Sequence, residues 1–118
     1  MRHSLSGSAK KITAYLGEED MYEGRPLSQV LMETARIQGC AGATLMKARG
    51  GFGPSSRDIE RHGFRMSSDC PVTLEVIDEE SRIRALGEVW STMMSTGLIT
   101  VEDVHVVYYQ VAPEGTVQ

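Results

Sequence analysis

Glycines, hydroxyl side chains and arginines occur together in one segment near the middle of the chain. The segment reads Arg49-Gly50-Gly51-Phe52-Gly53-Pro54-Ser55-Ser56-Arg57. Glycine lets a backbone turn sharply and brings its N–H groups close to an anion. Guanidinium groups and hydroxyls are donors that suit a phosphate. These residue types in this order predict a loop that binds a phosphate-bearing ligand, although a plain turn at the end of a strand has the same glycines.

The glycine-rich segment opens a long stretch without clear periodicity, from Gly50 to Pro71. Loops of this length are uncommon in small domains and are usually functional or disordered. A basic cluster follows the glycines within an otherwise acidic chain. We expect Arg57 to contact phosphate, and the tip of the loop to contact a protein partner through Arg61, His62 and Arg65. A solvated loop surface is the alternative, and the sequence leaves it open.

Two carboxylates near a later strand, Glu75 and Asp78, suggest a second chemistry. A small phosphohydrolase could use either one to polarise water or hold Mg²⁺. A helix cap for Asp78 and a pair across a subunit interface for Glu75 are the structural alternatives. The chain has no GxSxG or HExxH motif, so a binding protein is the preferred class and an enzyme is not predicted.

Histidines and cysteines give little support for a metal site. A metal-tolerance trimer using His62 and His105 is a third hypothesis, but these residues lack the spacing of a ligand set. The two thiols, Cys40 and Cys70, form no CxxC pair and are expected to be buried in a reducing compartment.

Composition places the chain among single-domain soluble proteins. It has 118 residues, 41% hydrophobic and 24% charged, with a net charge of -4. An acidic chain lacks the basic face that nucleic-acid binding requires, and no apolar run reaches the roughly 20 residues that cross a bilayer. The N-terminus has no apolar segment of a secretory signal. We expect a cytoplasmic protein without direct membrane insertion, with tails at 1–10 and 112–118 around a domain at 11–111.

Periodicity predicts the elements that position the loop. Strands are predicted at 12–16, 43–48, 72–77 and 104–111 by apolar and β-branched residues. One helix is predicted from Arg25-Pro26 to Gly39, with an apolar stripe, and another after Asp78 as its cap, ending at Gly97. The second helix has apolar residues at helical spacing: Ile83, Leu86, Trp90 and Met93. The order is that of an α+β, ferredoxin-like βαββαβ fold with a four-stranded antiparallel sheet.

Both faces of that sheet carry apolar residues. Val104 and Val106 alternate with Val107 and Tyr109, and Leu45 and Met46 face opposite sides. Two helices cover only one face, so the other is expected to pack against further copies of the chain. The pattern predicts a homo-oligomer of undetermined number.

From Lys11 to Tyr109 the chain resembles the PII signalling superfamily, and more closely a PII-like family known as a domain of unknown function. The resemblance is carried by a set of short stretches: Tyr15-Leu16-Gly17-Glu18, Gly24-Arg25-Pro26-Leu27, Gly42-Ala43-Thr44, Gly51-Phe52-Gly53 with Ser55-Ser56-Arg57, Ser68-Asp69-Cys70-Pro71, Val76-Ile77-Asp78-Glu79 and Gly97-Leu98-Ile99.

The resemblance implies a homotrimer with its sheets turned inward and clefts between subunits. In PII proteins these clefts hold adenine nucleotides as reversible ligands, and the long loop responds by engaging a partner, plausibly a membrane transporter. The Gly-Phe-Gly motif belongs to the cleft, and Pro54 and Ser55 lie next to the phosphates. Eight residues are expected to bind the nucleotide: Arg49, Gly51, Phe52, Gly53, Ser55, Ser56, Arg57 and Gly97.

The chain differs from the PII pattern at positions that would contact the phosphates of the ligand. PII proteins bring a Gly/Lys-rich turn before the last strand to the phosphates, whereas this turn, placed at 96–103, has no lysine and two acids. The segment after the last strand has no arginine. Few cations would meet a triphosphate, so a monophosphate, diphosphate or cyclic nucleotide is expected. The loop contains no Tyr, so the tyrosine modification of PII loops is not expected.

Overall fold

A computed structural model of the chain describes residues 5–52 and 70–112. Within them six strands and two helices follow one another. They are β1 (Gly7–Gly17), β2 (Met21–Tyr22), β3 (Arg25–Pro26), α1 (Leu27–Ile37), β4 (Thr44–Lys47), β5 (Pro71–Asp78), α2 (Glu80–Met93) and β6 (Leu98–Val106). No helix in these two ranges combines the length and apolarity that crossing a bilayer requires.

Four strands form one antiparallel sheet in the order β4-β5-β1-β6. The two short strands β2 and β3 form a separate hairpin before α1. The long central strands carry the sheet, with β1 paired to β5 on one side and to β6 on the other. The predicted α+β, ferredoxin-like arrangement is confirmed.

The hydrophobic core lies between one face of this sheet and the two helices. Alternate residues of β1 face it, and their partners on β5 are buried with them. From α2, Trp90 is fully buried, and its Nε1 donates to the carbonyl of Leu31 at 3.2 Å and to Oγ1 of Thr34 at 2.9 Å. The apolar stripes expected on both helices therefore form the core, with Met93 packed at its margin.

Neither α1 nor α2, the helices of the described residues, covers the other face of the sheet, which we call the open face. Large apolar side chains are exposed there, among them Tyr15 on β1 and Ile77 on β5. At its centre the ammonium of Lys11 lies 3.8 Å from Glu75 and 3.4 Å from Glu102. Glu75 thus pairs within its own chain, and its predicted pair across an interface stays a prediction; the face combines apolar ends with a charged middle.

The predicted limits of the last strand, 104–111, are wrong. The strand runs from Leu98 to Val106, because nine of its residues pair with β1. The segment 98–103, predicted to be a turn, is therefore strand, and Val107 and Tyr109 follow its end. Val107 and Tyr109 therefore do not support the prediction that both faces of the sheet are apolar. Leu45 and Met46 do support it, because Leu45 lies opposite a core-side residue of β5 and Met46 opposite a residue on the open side.

Two further local predictions need correction. Residues 7–10, assigned to a tail, are the first four of β1 and pair with β6. Asp78 does not cap α2, since the N-cap is Glu79 and makes no side-chain cap bond. Asp78 ends β5 instead, and its fully buried carboxylate accepts the N–H groups of Ala41 at 2.8 Å and of Glu79 at 2.7 Å.

Candidate functional site

The ends of the glycine-rich loop are held at one end of the sheet. The N–H of Ala48 donates to the carbonyl of Pro71 at 2.9 Å, which continues the β4–β5 ladder. On the other side of β5, the N–H of Glu18 donates to the carbonyl of Cys70 at 2.8 Å. The carboxylate of Glu18 also accepts from Lys47 at 3.0 Å, which raises the pKa of that lysine. The loop therefore starts from a rigid base.

The first residues of the loop leave this base with groups free for a ligand. Gly51 has φ +135°, where a side chain would be strained. The Phe52 ring is 67% exposed, so it does not anchor the loop to the core. Arg49 is exposed and pairs with no carboxylate in the ranges 5–52 and 70–112. A cation, an exposed aromatic ring and a position that favours glycine thus follow one another at the loop base; their role in binding a nucleotide remains a prediction.

The remaining predicted loop residues lie outside the described ranges. They are Gly53, Ser55, Ser56 and Arg57 of the predicted nucleotide site, and Arg61, His62 and Arg65 of the predicted partner surface. Their assignments remain predictions.

Gly97 is not brought together with the loop base within one protomer. It precedes β6, at one edge of the sheet, whereas Gly51 follows β4 at the other edge. Both lie at the same end of the sheet, but two strands separate them, or about 15 Å at the usual spacing. Gly97 also has a structural reason to be glycine, because a Cβ there would lie 2.7 Å from the carbonyl oxygen of Tyr15. Its place in a ligand site would require a second copy of the chain.

A cavity that the sequence does not indicate lies at the opposite end of the open face. Its volume is about 620 Å³, within the range of small-molecule sites. Glu75, Ile77 and His105 line it together with the segments 41–44 and 106–109. Residues of three strands and of the segment after β6 form its wall. Because they are distant from one another in sequence, the cavity is visible only in the folded structure.

The carboxylates suggested for phosphohydrolysis do not form a catalytic pair. Asp78 is 0% exposed, accepts two backbone N–H groups and lies 3.3 Å from Nε of Arg82. It therefore cannot face a substrate from this position. Glu75 pairs with Lys11 on the open face.

No three potential metal ligands cluster anywhere in the described part of the chain. His105 is exposed at the edge of the cavity, and His62, its suggested partner, lies outside the described residues.

Cys40 lies beside the buried carboxylate of Asp78. Burial, together with the negative charge of Asp78, raises the pKa of its thiol to about 11. Since the thiolate is the nucleophile, this thiol should be unreactive at neutral pH.

We expect Cys40 to react slowly with iodoacetamide at pH 8 in the folded protein and rapidly after unfolding. A Cys70→Ser background isolates its signal in mass spectrometry. The protonated thiol favours folding below its unfolded pKa, and this contribution disappears as pH rises through about 11. Equal alkylation rates for folded and unfolded chain at pH 8 would show that the thiol is not shielded.

The fold defines the structural class: the chain has the fold of PII-like proteins. CPII from Thiomonas intermedia K12, whose solved structure contains ADP, AMP and acetate, superposes with a TM-score of 0.62 at 17% identity, covering 89% of this chain and 94% of that one. A candidate PII-like signaling protein from Thermus thermophilus superposes with a TM-score of 0.59 at 21% identity, covering 86% and 91%.

Sequence then gives the family. The chain belongs to DUF190, described as "Uncharacterized ACR", which matches residues 9–106. It is 39% identical over 101 residues to a UPF0166 protein of Aquifex aeolicus, covering 84% of this chain and 93% of the relative. It is also 34% identical over 99 residues to the UPF0166 protein MJ1524 of Methanocaldococcus jannaschii, covering 83% and 91%.

Proposed function

We propose that this protein is a PII-like regulator that binds an adenine nucleotide reversibly in clefts between subunits of a homotrimer. Ligand binding shifts the long loop between conformations, and the loop passes this state to a protein partner, such as a transporter, in the cytoplasm. The protein carries no tightly bound cofactor and catalyses no reaction.

One observation carries the proposal: Arg49 and Phe52 are exposed on either side of the half-buried Gly51, where the loop leaves the end of the sheet. An exposed ring can stack on a base, and glycine lets a phosphate approach the backbone. CPII, which has the same fold, binds ADP and AMP. That relationship supports a nucleotide as the ligand of this chain.

The charge near the loop base favours a nucleotide with fewer than three phosphates. Strand β6 begins at Leu98, so the turn before it covers only residues 95–97 rather than the predicted 96–103. Residues 95–97 include no cation. In the described part of the loop base Lys47 pairs with Glu18, which leaves Arg49 as the cation for a ligand. One guanidinium offsets little of a triphosphate's charge. A monophosphate, a diphosphate or a cyclic nucleotide fits better.

Calorimetric titration with AMP, ADP, ATP and cyclic AMP, with and without Mg²⁺, tests the proposal. We expect saturable binding near one site per chain, with the tightest ligand carrying fewer than three phosphates. Phe52→Ala should weaken it about 5- to 150-fold, because stacking on a base contributes roughly 1–3 kcal/mol. Ile37→Ala, which truncates another exposed apolar residue on α1, is the matched control and should bind normally.

A bulky residue at Gly53 should also abolish binding without unfolding the protein. Unchanged affinity in the Phe52 and Gly53 variants would show that the nucleotide does not bind at the loop base. No binding of any of the four nucleotides would reject the proposed ligand class.

A further inference from the structure

The cavity at the end of the open face is large and lies away from the loop base. β5 contributes Glu75 and Ile77 to its floor, and their side chains alternate with those that face the core. β6 contributes Val104 and Val106 from the same side of the sheet. A volume of about 620 Å³ with mostly apolar walls is typical of small-molecule sites, whereas voids of this size are rare in close-packed interiors.

The two side walls of the cavity differ in the size of their residues. One wall is the segment 41–44, which reads Ala-Gly-Ala-Thr, and a Cβ at Gly42 would meet nothing within 4 Å. The other wall includes Tyr108, which is largely exposed, and Tyr109, which is half-buried. Small side chains on one side and aromatic rings on the other leave space for an apolar molecule.

Glu75 brings a carboxylate to the floor of this cavity. Its side chain is 30% exposed, and the ammonium of Lys11 lies 3.8 Å away, which is longer than a hydrogen bond. Lys11 lies nearer to Glu102, at 3.4 Å, so one ammonium faces two carboxylates and an excess negative charge remains. Thr44 lies directly opposite Glu75 in the β4–β5 register and places a hydroxyl beside it.

These groups select a cation as the ligand. The excess negative charge repels anions such as carboxylates and phosphates. A metal ion is not favoured, because no three potential ligands cluster in the described part of the chain. An organic ammonium group could instead donate to Glu75 and Thr44 and lie against a tyrosine ring, while its apolar part covers the valines and Ile77.

We propose that the open-face cavity binds a small organic amine, with the ammonium group on Glu75 and the apolar part between Ile77 and the tyrosines. This site goes beyond the proposed nucleotide function and does not rest on it. All of the lining belongs to one chain, so the site is complete within a single protomer.

Three probes that share an indole ring and differ in charge test the proposal on the protein as purified. Calorimetric titration should give saturable binding of tryptamine near one site per chain. Its Kd should be about 5-fold lower than that of the neutral tryptophol, because a hydrogen bond to a charged group contributes more than one between neutral groups. The anionic indole-3-propionate should bind more weakly than both. No saturable tryptamine binding, or equal affinities for the three probes, would overturn the proposal.

Two substitutions assign the charge and the apolar contact separately. Glu75→Gln should make the affinities for tryptamine and tryptophol equal. Asp103→Asn removes the same charge from the other side of the sheet, where Asp103 pairs with Lys10, and should keep the preference for tryptamine. Ile77→Ala should weaken both probes by a similar factor of about 4 or more, the contribution of one buried methylene. A preference that survives Glu75→Gln would show that the ammonium group does not bind this carboxylate.

Two further measurements exclude other occupants and other sites. Light scattering after size exclusion should show the same oligomer with and without saturating tryptamine. A smaller oligomer would show that a second copy of the chain fills the cavity, and would overturn its assignment to a small molecule. Saturating ADP should leave the Kd of tryptamine unchanged, whereas displacement by ADP would place the amine at the loop base. Failure of ADP to bind would contradict the proposed nucleotide ligand and leave the tryptamine result standing.

Discussion

Replacing Gly97 with alanine should lower the free energy of unfolding by roughly 2–4 kcal/mol. Gly97 has φ +122°, and a residue with a side chain held in such a region loses about 1–3 kcal/mol. The added Cβ would also lie 2.7 Å from the Tyr15 carbonyl oxygen and 2.6 Å from Cε of Met94. The methionine can move, but Tyr15 belongs to a central strand of the sheet. Urea unfolding followed by the fluorescence of Trp90 measures the change.

Gly42→Ala is the matched control for this substitution. A Cβ at Gly42 meets nothing within 4 Å, and its φ lies outside the positive region. We expect its effect to stay within about 0.5 kcal/mol, as for most surface changes. If Gly97→Ala is no more destabilising than Gly42→Ala, the collision with Tyr15 does not exist. Stability must also be measured before any loss of ligand binding in a Gly97 variant is attributed to a lost contact.

The core of the fold is predictable from sequence because its signals are local. Ile83, Leu86 and Trp90 recur at helical spacing, and all three are buried. The strand at 72–77 combines β-branched residues with alternation that only Ile77 breaks, and the structure extends it by one residue at each end. Such patterns survive because packing reinforces what the local sequence already favours.

The limits of the edge strand are not predictable in the same way. Thr100, Glu102 and Asp103 interrupt the apolar pattern of β6, yet its backbone pairs with β1 along its whole length. An edge strand accepts polar and charged side chains because one side of it meets no strand in its own sheet. The decisive partner, β1, lies far away in sequence, so the pairing that sets the boundaries is tertiary.

The candidate site also has one part that is predictable from the sequence and one part that depends on the tertiary fold. The glycines and arginines of the loop are visible in the sequence because their residue types are unusual together. The hydrogen bond of Glu18 to Cys70, which pins the end of the loop, depends on strands that are distant in sequence. The separation of Gly97 from Gly51 follows from the strand order, which is tertiary, so the sequence does not show that these two predicted site residues lie apart in one chain.

The buried carboxylate of Asp78 fastens the connection between α1 and β4, and its removal should be among the most destabilising changes in this chain. Its Oδ2 accepts from Ala41 and its Oδ1 from Glu79. Arg82 lies 3.3 Å from Oδ1 and also donates to the carbonyl of Gln38 at 2.9 Å. Asp78→Ala would leave two N–H groups without their acceptor and would remove one of the two carboxylates beside Arg82, the other being Glu79 at 3.2 Å. A buried donor left unpaired lowers stability by about 1–3 kcal/mol, so two give a loss of roughly 2–6 kcal/mol, measurable by urea unfolding.

An exposed ion pair supplies the comparison for Asp78. The side chain of Asp103 is 84% exposed where it pairs with Lys10, and such pairs contribute about 0–1 kcal/mol. Asp103→Asn should therefore change stability little, whereas Asp78→Asn, which keeps one acceptor oxygen, should fall between Asp103→Asn and Asp78→Ala. Equal effects of Asp78→Ala and Asp103→Asn would mean that the buried carboxylate does not fasten the connection. The connection continues into the segment 41–44, one wall of the open-face cavity. A large effect would therefore show that Asp78 holds in place the segment that forms this wall.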